Sequence, residues 1–121
     1  MSNDLGRQVL DVIKAGGRRV LPMHEFLAKE DPKVLDAYNE FLTSTIYEND
    51  ALPESMKEML LACVCVAVGS SQAVIANHCR RALTAGIDRK ALLQGLEITA
   101  AVMATKTMAT GVTALMEAET K

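Results

Sequence analysis

The fold turns on how residues 49–69, NDALPESMKEMLLACVCVAVG, are read. The valine-rich end, CVCVAV, would suit a strand, but Pro53 followed by Glu54 marks a helix start. Proline has no N–H to lose in a first turn, and a carboxylate there meets the positive end of the helix dipole. Length decides the matter, because about fifteen residues run on to Gly69, against roughly five or six for an ordinary strand. The stretch is therefore predicted to be helical.

The segments on either side agree with that reading. Upstream, Leu5, Val9, Val12 and Ile13 have helical spacing within residues 4–14, and AGG ends the pattern. Residues 18–32, RRVLPMHEFLAKEDP, are expected to be irregular or a short helix, broken by Pro22 and Pro32. Asp31 as N-cap and Pro32 as first helical residue then open a helix to Tyr47, with Val34, Leu35, Tyr38, Leu42 and Ile46 on one stripe. Downstream, Gly69, Ser70 and Ser71 make a turn. Residues 72–85, QAVIANHCRRALTA, form a helix that Gly86 terminates. Asp88 is expected to cap residues 89–102, and a last helix falls within residues 103–118, MATKTMATGVTALMEA, dense in Ala, Thr and Gly. The doubled MAT reflects composition, not a repeat. The class is all-α, a bundle of about five to six helices in a single domain.

Composition supports this reading. Half of the 121 residues are apolar but only 3% are aromatic, so the core must be built from Ala, Val, Leu, Ile and Met, which suits closely packed helices. A chain of this length buries about two-thirds of its unfolded surface. The net charge of −2 and the lack of a basic cluster argue against nucleic acid or an anionic membrane as partner. MSNDLGRQVL is polar where a signal peptide would be basic and then apolar, and the unbroken run MLLACVCVAVG is far short of the ~20 residues of a spanning helix. A cytoplasmic protein with its three cysteines as free thiols is expected.

Several residues carry possible chemistry. Cys63 and Cys65, two apart on a helix, point ~200° from each other and cannot share a metal or a disulfide. Small buried hydrophobes are the simpler reading. Cys79 is flanked by His78, Arg80 and Arg81, groups that lower a thiol pKa when they cluster in space, and an antiparallel return of its helix would bring it towards Cys63. His78 is the foremost acid–base candidate and needs an oriented partner. Glu58 fits that role, since it lies one turn after Glu54 and runs straight into apolar sequence; burial beside a partner is what tunes a carboxylate for proton transfer. The plainer alternative is a surface Glu58 and a merely packed His78. Arg80 and Arg81 would hold a substrate carboxylate, although paired arginines on a helix more often form a solvated face. His24 lacks ligand spacing and is expected to face solvent. No metal or cofactor site is read, and phosphate loops, GxSxG and HExxH are absent.

Three segments, EDPKVLDAYNEF, LPESMKEMLLACVCVAVG and NHCRRALTAGIDRKALLQGLE, resemble the carboxymuconolactone decarboxylase family, which includes the AhpD-like alkylhydroperoxidases; the similarity runs from about Phe26 to Gly95. The resemblance implies an all-α bundle assembled into trimers or hexamers, with Glu58 and His78 as the glutamate and histidine of a proton relay. Peroxidatic members carry a Cys-x-x-Cys pair ahead of the histidine. Counting back from His78 puts Ser71 and Val74 there, while counting forward from Glu58 and Gly69 puts Ser70 and Ala73 there. The two registers differ by one residue, which implies a one-residue insertion between Gly69 and His78. In neither register is the redox pair present, and Cys63, Cys65 and Cys79 match no family thiol, so the sulfenic acid and disulfide cycle has no counterpart. Decarboxylase members need no such pair.

Three functional readings follow. The first is acid–base, lyase-type chemistry on, or binding of, a small organic acid or lactone through Glu58 and His78. The second is a thiol-dependent antioxidant using Cys79 with Cys63 or Cys65, and the third is a non-catalytic oligomeric module.

Overall fold

The computed structural model describes residues 2–120, with side chains from Asp4 onward. Among these residues there are α-helices and one π-helical turn but no strand, so the protein is all-α. The chain divides into two compact units, with the boundary in the sequence between Asp50 and Ala51.

The first unit contains α1 (Ser2–Ala15), α2 (Pro22–Glu30) and α3 (Pro32–Leu42), which continues into the π-helical turn Thr43–Tyr47. Three of the four residues of the expected α1 stripe face inward: Val9 and Ile13, one turn apart, join Ala28 and the fully buried Leu35 in one core with Leu5 packed against it, whereas Val12 is 55% exposed. The expected boundary at Pro32 holds, and the Asp31 side chain accepts the Val34 N–H at 3.4 Å. Pro22 acts otherwise than as a breaker, since it opens α2 from the first-turn position where its missing N–H has no cost.

His24 corrects the expectation of a solvent-facing residue. It is 8% exposed, and its Nδ1 accepts the Leu21 backbone N–H at 2.8 Å while the His24 backbone N–H donates to the Leu21 carbonyl at 2.9 Å. The imidazole thus closes the start of α2 in the way a Glu or Gln does in a capping box. Burial, and secondarily the charge of Arg18, hold its pKa below the ordinary histidine value of 6.5.

The second unit contains α4 (Glu54–Val68), α5 (Gln72–Thr84) and α6 (Arg89–Glu119). The ambiguous stretch is helical, as length predicted. α4 ends at Gly69, whose φ of +81° lies in the left-handed region open to glycine, and the Ser70 N–H donates to the Cys65 carbonyl at 2.8 Å. Ser71 then caps α5, its Oγ accepting the Val74 N–H at 3.3 Å. Ala62 and Ala82 are fully buried, so the helices of this hairpin approach closely.

The end of the chain differs from expectation. The two helices anticipated over residues 89–118 are one 31-residue helix. No glycine or proline lies between Gly95 and Gly111 to interrupt it. Asp88 occupies the N-cap position and its carbonyl takes the Leu92 N–H, but its side chain makes no capping bond. By length and composition α6 is sufficient to cross a membrane, a property that the search for an unbroken apolar run passed over.

Candidate functional site

Both candidate acid–base residues lie in the α4–α5 hairpin. Glu58 precedes the buried Ala62 by one turn on α4, and His78 precedes the buried Ala82 by one turn on α5, so each shares the inward face of its helix. Ala62 and Ala82 are both fully buried, and side chains of this size let the two helices approach closely beside the pair.

They do meet. His78 Nδ1 lies 2.8 Å from Glu58 Oε2, with the glutamate side chain 6% exposed and the histidine 21%. When the carboxylate is ionised it only accepts, and Nδ1 is then the donor of this bond with Nε2 left for a second partner. A carboxylate that fixes an imidazole's tautomer and orientation in this way is the recurrent support of an acid–base histidine.

The two arginines separate. Arg81 Nη1 stands 3.9 Å from Glu58 Oε1, a long ion pair whose half-exposed guanidinium adds little stability. Arg80 is turned to the exposed surface, donating to Asn77 Oδ1 at 2.7 Å. Sequence reasoning treated the two alike, although a signal was available: Arg81 is three residues after His78 and so on its face, whereas Arg80, two after, is not.

The cysteines do not form a site of comparable definition. All three are half-buried free thiols. Cys63 is in a tight packing position, where its Sγ and the Met59 Sδ would each lie 3.2 Å from a Cβ added at Gly95, so the glycine lets α6 close onto α4. Among the described residues, no group of three or more His, Cys, Asp or Glu side chains could hold a metal ion.

The model of the carboxymuconolactone decarboxylase family matches residues 32–117. The chain belongs to this family. The match takes in Glu58, His78 and Arg81 and runs past Gly95 nearly to the end of α6, beyond the segments in which the resemblance was read. Comparison with curated proteins and with solved structures gives no match. The sequence between Gly69 and His78, SSQAVIAN, contains no cysteine.

Proposed function

We propose that this family member does lyase-type acid–base chemistry on a small organic acid or lactone, with His78 as the proton-transferring group and Glu58 as its orienting partner. The 2.8 Å contact between a buried carboxylate and a partly exposed imidazole carries the reading. In a decarboxylation of this type, the bond from the carboxylate carbon to the neighbouring carbon breaks and carbon dioxide leaves. The electron pair passes into an enolate conjugated with the lactone carbonyl, and protonated His78 Nε2 returns a proton to the carbon that lost the carboxylate. Arg81, rather than Arg80, is assigned the substrate carboxylate, a role supported by its guanidinium lying 3.9 Å from Glu58 Oε1.

The thiol reading gains nothing comparable from the geometry, since Cys63 is engaged in packing at Gly95. The test is turnover of a panel of γ-lactone carboxylic acids, followed by release of carbon dioxide, with the wild type beside His78→Gln, Glu58→Gln and Arg81→Met. Loss of turnover in the first two and a raised KM in the third are expected. Turnover unchanged in His78→Gln would overturn the proposal.

A further inference from the structure

A cavity of about 180 Å³ lies between α1 and α3 in the first unit. Its two sides differ in chemistry. From α1 it is lined by Leu5, Val9 and Val12, which follow one another at helical spacing and so form one apolar wall. Val9 is buried and Val12 is open to solvent, so this wall runs from the core to the surface.

From α3 the lining is Asp36, Asn39 and Glu40, all hydrogen-bond acceptors. Asn39 is 5% exposed, and its Oδ1 is buried without a hydrogen-bond partner among the described residues. An amide oxygen withdrawn from water ordinarily has a donor, so an orphaned one facing a cavity marks a place where a donor enters. Asp36, half-buried, and Glu40, exposed, stand one turn apart on the same face. Neither carboxylate has an ion pair or a side-chain hydrogen bond among the described residues. Like charges so placed repel each other, and a cation between them relieves the repulsion. Gln8, exposed on α1, also lines the cavity, but its side-chain amide bonds to none of the three.

Charge and shape select the ligand. Two unpaired carboxylates disfavour an anion. A divalent metal ion is unsuited as well, since it takes about six or more oxygen ligands while half of this lining is hydrocarbon. Nor, among the described residues, are three His, Cys, Asp or Glu side chains grouped to hold one. An ammonium group carries three N–H donors and no acceptor, which matches Asn39 Oδ1 and the two carboxylates. The apolar wall asks in addition for an alkyl chain. A cavity of about 150 Å³ holds a benzene molecule, so this one has room for an ammonium bearing about four or five carbons. We infer that the α1–α3 cavity binds a small primary alkylammonium ion, with its nitrogen at Asp36, Asn39 and Glu40 and its chain along Leu5, Val9 and Val12. This inference does not depend on the acid–base role of Glu58 and His78.

Titration of the ¹⁵N-labelled full chain with n-butylammonium chloride, followed by amide chemical shifts, tests it. Saturable shifts are expected at the cavity residues of α1 and α3, while n-butanol and sodium butyrate at the same concentrations leave those amides unmoved. This comparison of three probes needs no variant. A chain carrying Asp36→Asn and Glu40→Gln loses both charges from its surface and should bind n-butylammonium about tenfold more weakly or worse. Asn39→Leu replaces the orphaned oxygen by hydrocarbon of similar shape. It should also weaken binding by about tenfold, with a urea midpoint no lower than that of the wild type. No shift at the cavity residues, equal shifts with n-butanol or butyrate, or affinity unchanged in the double variant would each overturn the inference.

Discussion

Glu58 Oε2 and His78 Nδ1 meet at 2.8 Å across the α4–α5 hairpin, and the carboxylate is the more buried partner. A buried acceptor that loses its donor bears its desolvation uncompensated. His78→Ala should therefore destabilise the protein by about 1–3 kcal/mol, read as a shift of the urea midpoint at constant slope. Glu58→Gln keeps an acceptor of the same shape and should cost less than His78→Ala. Equal stability of wild type and His78→Ala would show that the pair contributes nothing to holding the hairpin.

His24 makes stability depend on pH. Its folded-state pKa lies below 6.5, from burial first and the Arg18 charge second, and its Nδ1 must give up the Leu21 N–H to take a proton. The unfolded chain thus binds the proton first. This contribution to stability is complete above the ordinary histidine range and is lost as pH falls through 6.5 towards the folded value. His24→Gln keeps a side-chain acceptor for the Leu21 N–H without titrating there. Urea midpoints at pH 7.5 and 5.5 should fall more steeply for wild type than for His24→Gln, and parallel curves would refute the assignment.

How much of this was legible in the sequence depended on whether the deciding signal was local. Pro53, Gly69, Ser71, Asp31 and Gly86 act within a turn of their own positions, and the boundaries they mark hold. The apolar run after Glu58 hinted at an inward carboxylate but left a surface position open, because the contact with His78 is made between two helices and no local signal reports it. His24 was misread because its partner is the backbone of Leu21, and no ligand spacing announces a cap. The division of α6 into two helices failed for a different reason. Its Ala-, Thr- and Met-rich stretch is apolar all round and has no polar face whose phase would show continuity. Arg81 was separable from Arg80 only once the partner on α4 was fixed.

The missing redox pair gives a functional prediction. Peroxide reduction by thiols requires attack of a thiolate on the O–O bond, release of the alcohol, and a second thiol to resolve the sulfenic acid. No cysteine lies between Gly69 and His78. Reductant-dependent consumption of an alkyl hydroperoxide should stay at the buffer rate both for wild type and for a variant with Cys63, Cys65 and Cys79 changed to serine. Turnover present in the first and absent in the second would mean that the unmatched cysteines have taken over the thiol role.

Two glycines should respond oppositely to the same change. A Cβ on Gly6 of α1 would overlap the Ala28 carbonyl of α2, and backbone cannot yield as a side-chain end does. Gly6→Ala must then push the two helices apart around the core of Val9, Ile13, Ala28 and Leu35, at a cost of about 1–3 kcal/mol or more. Gly111 lies inside α6 with nothing within reach of an added Cβ. There Gly111→Ala removes only the conformational freedom of the unfolded glycine and should stabilise the helix by about 0.5–1 kcal/mol. Urea midpoints of the two variants on either side of wild type are expected. A neutral Gly6→Ala would mean that α1 and α2 do not make this close approach in solution.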